Sequence, residues 1–273
     1  MKMESAERYA ALALLEWQIE LGVTEAICDT PVDRFALPAA MDAPGLAPSA
    51  AHAGAGGDAQ KQPLASPVVQ RSAQTDPVAA AERAAAAAQS LDDLRQTIAD
   101  FPHCDLRRGG RSLVFGDGIA GAPLMVLGEA PDKEEDRTGT PFAGQAGVLL
   151  DRMLAAIGRG RADEEAPVYL ATALPWRPPQ GREPKPGEIA MLRPFLLRHV
   201  SLAKPKVLAV MGNGGCQVLL GRRGVARLRG NWTEAAGVPT LPMYHPGYLL
   251  RYPEFKRDAW ADLQALQRKL RDG

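Results

Sequence analysis

Cysteine is nearly absent from this chain, with three in 273 residues, Cys28, Cys104 and Cys216. An odd number of widely separated thiols excludes a disulfide framework and any self-contained C-x-x-C metal site, which leaves reduced, mainly structural thiols. Aromatic residues are sparse too, at 5%. No apolar run approaches the roughly 20 residues that a membrane-spanning helix needs. A secretory signal is not expected, because Glu7, Arg8, Glu16 and Glu20 interrupt any continuous apolar stretch near the start. These absences predict a cytoplasmic globular protein with no membrane partner.

Net charge is also missing overall, yet it is unevenly placed. Residues 1–100 hold 7 Lys and Arg against 14 Asp and Glu, whereas residues 101–273 hold 25 against 18. A basic domain behind an acidic leader predicts a polyanionic partner for the former.

Four segments follow from composition and periodicity. Residues 1–30 contain an amphipathic helix, with Tyr9, Leu12, Leu15 and Ile19 at spacings of three and four, ending near Gly22. It needs a surface to pack on, which makes a protein partner for this helix an expectation. Residues 31–77 are rich in Ala, Pro, Gly, Ser and Gln and too poor in apolar surface to offset ordering entropy, so they are read as a disordered linker. Residues 78–100 form a connecting helix on the spacing of Leu91, Leu94 and Ile98, with Ser90 placed to cap its second part. Residues 101–273 form the main domain.

Within that domain, apolar runs alternate with helical patterns. Strands are expected at Ala122–Leu127, Val168–Ala173, Lys206–Met211 and Pro239–Met243, and helices at Gly147–Ile157, Pro186–Ala203, Gly214–Leu220 and Glu254–Arg271. Strands separated by helices imply an α/β fold with a parallel sheet covered on both faces. Ligands of such sheets bind at loops beyond the carboxyl ends of the strands, and here those loops are marked by Gly and Pro.

Three loops carry the chemistry. The first runs Gly128-Glu129-Ala130-Pro131, then an acidic stretch, then Gly139-Thr140-Pro141-Phe142-Ala143-Gly144-Gln145-Ala146-Gly147. The second is Leu174-Pro175-Trp176-Arg177-Pro178-Pro179, and the third is His245-Pro246-Gly247-Tyr248-Leu249-Leu250-Arg251. Together with L-L-D-R-M-L-x-x-I-G at residues 149–158 and L-R-G at 228–230, these motifs occur in the order that resembles the family 4, iron–sulfur type, uracil-DNA glycosylases over about Cys104 to Leu270.

The resemblance implies a three-layer α/β/α fold around a mainly parallel four-stranded sheet, and hydrolysis of the N-glycosidic bond of uracil, or a related deaminated base, flipped out of DNA. It implies Glu129 and His245 as catalytic residues, the first acting on water and the second donating to the departing base. Gly128, Phe142 and Thr172 would bind the base. Leu249, Leu250, Arg251 and Arg177 would contact DNA, the two leucines as a wedge. Lys133, Arg137, Arg182 and Arg229 are further backbone-contact candidates, and a monomer is expected.

Two departures from the family pattern bear on these expectations. Of the four cysteine positions that hold the family's four-iron cluster, only Cys104 is retained, and Phe101, Trp176 and Leu192 stand at the others, so no metal or cofactor is expected. The base-reading asparagine is replaced by Thr172, which has one hydroxyl in place of an amide donor and acceptor. A glycosylase of altered base specificity and a catalytically silent damaged-DNA sensor or accessory repair protein are accordingly the alternative readings. Asp132 stands where the family has a glycine after G-E-A-P, which predicts an additional negative charge near the DNA path.

Overall fold

The computed structural model describes residues 76–272. The amphipathic helix expected in residues 1–30 and nearly all of the expected linker lie outside the described residues.

The apolar runs, too short for a stable helix and rich in Val and Leu, satisfy their backbone by pairing as strands while both faces are buried. Leu124–Leu127 (β2), Val168–Ala171 (β3), Val207–Met211 (β4) and Val238–Met243 (β6) pair in parallel, β3–β2–β4–β6. Residues of β2, β3 and β4 are buried without interruption, as expected for a sheet with helices on both sides.

The sheet has six strands, not the expected four. Gly116–Gly118 (β1) joins β3 and Thr233–Ala235 (β5) joins β6, both antiparallel, giving the order β1-β3-β2-β4-β6-β5. Each added strand is three residues long and carries no apolar run, so an apolar-run reading passes over it. Short antiparallel edges of this kind also limit edge-to-edge association.

Residues 78–100 form two helices in place of one, Pro77–Ala87 (α1) and Leu91–Asp100 (α2). The Ser90 hydroxyl accepts from Asp93 N at 3.1 Å, and Asp93 Oδ2 accepts from Gln89 N at 2.8 Å, so a reciprocal cap starts the second helix at the break. These helices do not merely connect. Ala81, Ala85, Ala88 and Leu94 are buried in the same core as the sheet. The Arg198 guanidinium, on Pro186–Ala203 (α6), donates two hydrogen bonds to Ala88 O, satisfying a carbonyl at the end of α1.

The remaining helices are Leu106–Gly109 (α3), Lys133–Thr138 (α4), Gly144–Ala155 (α5), Gly212–Leu220 (α7), Val225–Leu228 (α8), Pro246–Arg251 (α9) and Lys256–Asp272 (α10). Chain order places a switch point at the centre of the sheet: the chain leaves β2 toward β3 on one side and leaves β4 toward β6 on the other. The crevice beyond the carboxyl ends of β2 and β4 is where such sheets bind ligands.

Candidate functional site

The loop after β2 and the start of α7 after β4 meet in that crevice. Gly214 N, at the free amino end of α7, donates to Glu129 Oε1 at 2.7 Å. The helix start is a favourable seat for a carboxylate, and the bond leaves the second oxygen of Glu129 available. A Cβ on Gly212, which has φ +85°, would collide with the Glu129 carboxylate. Glycine is thus required here by both backbone and space. The intervening Asn213 turns away, its Oδ1 accepting from Val225 N at 2.8 Å and Gly224 N at 3.1 Å to start α8.

Phe142 is held in a left-handed backbone conformation, φ 51°, which costs a non-glycine residue about 1–3 kcal/mol unless its surroundings over-determine it. They do so from three directions. Glu135 Oε1 accepts from Phe142 N at 2.5 Å. Arg161 donates at 3.4 Å to Pro141 O and to Phe142 O while itself paired with Asp117 at 2.7 Å and Asp151 at 2.8 Å. Gly147 lies so close beneath Phe142 O that no side chain fits there. The Phe142 ring lies on the backbone of Gly128, where a Cβ would stand 2.9 Å from it, and stacks with His245 at a centroid distance of 5.6 Å and an interplanar angle of 19°. Gly128, Phe142 and His245 are therefore brought together.

His245 is the N-cap of α9, and its Nδ1 accepts from Gly247 N at 3.2 Å. An accepting Nδ1 leaves the proton of the neutral ring on Nε2. Burial pushes the His245 pKa down, against the opposing pull of the Glu129 and Asp132 carboxylates, so the ring is kept as a neutral donor.

Glu135 is the residue that sequence reading missed. Its Oε2 accepts from Asp132 N at 2.8 Å while Asp132 Oδ1 accepts from Glu134 N and Glu135 N at 2.8 and 2.9 Å, a reciprocal cap on α4. One carboxylate thus ties the helix start to the strained Phe142 loop. Burial pushes the Glu135 pKa up to about 7, against the two backbone donors that favour its charge. The D-x-x-E spacing of Asp132 and Glu135 was a legible capping signal. It also gives Asp132 a structural task, since its carboxylate caps α4 while still placing its negative charge near His245.

The other candidate residues lie in different settings, and some of the expectations are corrected. Thr172 is buried, and its hydroxyl donates to Val114 O at 2.9 Å, tying down the segment before β1; the hydroxyl is spent on backbone. Leu249 is buried at 1% exposure, whereas Leu250 is 44% exposed, so a wedge has one leucine and not two. Arg251 is exposed and Arg177 half-buried, and neither forms an ion pair among the described residues. Arg229 is not a free cation: it grips Asp262 through two bonds at 2.6 and 2.9 Å and lies 5.6 Å over the Tyr244 ring. Arg182 is likewise held by Glu188 and Arg137 by Glu134. Lys133 is exposed.

The residues at the cluster positions do not fit an iron–sulfur cluster. Phe101, Cys104, Trp176 and Leu192 all belong to the buried core, and Phe101 packs edge-on against Phe195 at 5.0 Å. The Cys104 thiol is the one sulfur among them, and burial pushes its pKa up, away from the thiolate that a metal requires. Among the described residues no group of three or more His, Cys, Asp or Glu is placed to hold a metal ion.

Residues 115–264 match the family model described as the uracil DNA glycosylase superfamily. The chain is 32% identical over 187 residues to the type-4 uracil-DNA glycosylase of Archaeoglobus fulgidus, covering 65% of this chain and 92% of that protein. It is 34% identical over 151 residues to the type-4 uracil-DNA glycosylase of Thermotoga maritima, covering 54% and 77%. A DNA polymerase of Bacillus phage SP01 is 27% identical over 151 residues, which are 16% of its length.

Proposed function

The chain belongs to the uracil DNA glycosylase superfamily, and from that premise we propose that it hydrolyses the N-glycosidic bond of uracil extruded from DNA, as a base-excision repair enzyme of the cytoplasm. The observation that carries this reading is the joint placement of Gly128, Glu129, Phe142 and His245 at the switch point of the sheet.

The extruded base stacks on the immobilised Phe142 ring. His245 Nε2–H donates to a carbonyl oxygen of the base, where negative charge develops as the C1′–N1 bond breaks and its electron pair moves onto the base. Glu129, anchored by Gly214 N, orients a water through its free oxygen and stabilises the cationic sugar. Water oxygen bonds to C1′, its proton passes to the carboxylate, and the base anion leaves to be protonated. Domain limits follow the same proposal: catalysis resides in residues 101–273 with α1 and α2 as part of its core.

Release of uracil from a labelled duplex, read as alkali-sensitive cleavage, tests this reading. His245→Ala removes one donor to the leaving group and lowers the single-turnover rate by roughly 10²–10³. Wild-type rates in His245→Ala and Glu129→Gln together would sink the assignment.

A second reading, altered base specificity, is favoured by one observation: the Thr172 hydroxyl already donates its one proton to Val114 O and has no donor left for a base edge. Sites that hydrogen-bond a base edge discriminate strongly, and losing that group relaxes selection. A panel of duplexes bearing different deaminated bases decides between the two, since a preference for any base over uracil favours the second.

A further inference from the structure

The His245 loop continues into a surface that the reaction above does not use. Within α9 and its C-cap, Leu250 and Tyr252 are 44% and 45% exposed, and between them Arg251, exposed, is in no ion pair among the described residues. Single exposed apolar side chains are ordinary, but two beside a cation at the rim of a DNA-directed loop form a patch.

Tyr252 is backed by a ladder of rings. It lies 4.7 Å from Tyr248, which stacks at 5.2 Å and 15° on Tyr244 and leans on Phe255 at 5.5 Å. Arg229 covers Tyr244 and is itself fixed by Asp262, so the ladder is anchored in α10. The Tyr252 N–H donates to Tyr248 O at 2.9 Å, which fixes the backbone under the exposed ring. A ring held in this way loses little further freedom on binding.

We propose that Tyr252 is a stacking platform for an unstacked nucleobase next to the extruded nucleotide, a role separate from those of the leucine and arginine that precede it in the loop. The proposal rests on the glycosylase reading for its partner. A nucleobase is the occupant because the patch continues the His245 loop and sets an exposed π-face beside a cation. Such stacking tolerates any base and is lost on truncation to alanine.

The test uses the full chain and a labelled duplex carrying 2′-fluoro-deoxyuridine, which resists cleavage, with binding read by fluorescence anisotropy. Each nucleotide flanking the lesion, on both strands, is replaced in turn by an abasic spacer. Tyr252→Ala weakens binding to the intact duplex by roughly tenfold, and Tyr252→Phe binds as wild type does. At one spacer position wild type loses the same factor and Tyr252→Ala loses nothing more.

Equal binding by Tyr252→Ala and wild type, or an alanine loss that is the same for every spacer duplex, overturns the platform. So does failure of wild type to bind the duplex at all. Uracil release from ordinary duplex is measured on the same preparations. Release without any Tyr252-dependent spacer position removes the platform and leaves the glycosylase, whereas such a position without release removes the glycosylase and leaves the platform.

Discussion

Glu135 sets the pH behaviour of the site more than any other single residue. Its two oxygens accept backbone N–H groups from Asp132 and Phe142, so only the ionised form serves both. With its pKa pushed up to about 7 by burial, the loop loses one tether as pH falls through that value. The expected outcome is a kcat/KM for uracil release that rises with pH up to about 7. Glu135→Gln removes that limb and lowers the plateau by about tenfold, the worth of a hydrogen bond to a charged group. An unchanged limb in that variant would assign the ionisation elsewhere. Stability moves the other way. The folded protein holds this proton more tightly than the unfolded chain, so the contribution is present below the carboxyl's ordinary range and is lost as pH rises through about 7. Urea midpoints of wild type and Glu135→Gln between pH 5 and 8 check the sign.

At the scale of elements, the start of α7 and the buried segment at the cluster positions make different demands. Gly212→Ala forces the Glu129 carboxylate off its seat and places a side chain at φ +85°. The strain is about 1–2 kcal/mol, or a few degrees of melting temperature, whereas uracil release falls by at least tenfold. A large loss of stability with activity intact would contradict this. Phe101, by contrast, touches no part of the site. Phe101→Ala leaves a cavity beside Phe195 and costs about 3–5 kcal/mol, read from denaturant midpoints, with the per-molecule rate of the folded fraction unchanged. An apolar plug thus takes the place of the cluster ligands. Among the described residues the buried Trp176 Nε1 has no acceptor, which costs about 1–3 kcal/mol.

For the whole molecule, the core of the described residues includes α1 and α2 and does not begin at residue 101. Removing residues 1–75 leaves the core of the described part whole, so the melting temperature is expected to stay within a few degrees of the full chain's and uracil release to be retained. Removing residues 1–100 strips Ala81 and Leu94, both at 0% exposure, from the core and leaves Arg198 without the Ala88 carbonyl. That shorter chain is expected to melt well below the full one or to fail to fold, as circular dichroism would report. Equal stability of the two truncations would return the boundary to residue 101.

What the amino-acid order determined by itself was the set of central elements and the identity of the loops. β2, β3 and β4 leave continuous apolar runs, α6 was readable to its ends, and Gly and Pro mark each carboxyl-end loop around Glu129, Phe142 and His245. Those signals are local. The edge strands β1 and β5 are defined by their partners, not by their own side chains, and only assembly reveals them. The same holds for direction. Sequence names Thr172, Leu249 and Arg229 but does not state where each side chain points. Val114, the core against α5 and Asp262 claimed them when the chain packed, because buried polar and apolar groups must find partners wherever the fold supplies them.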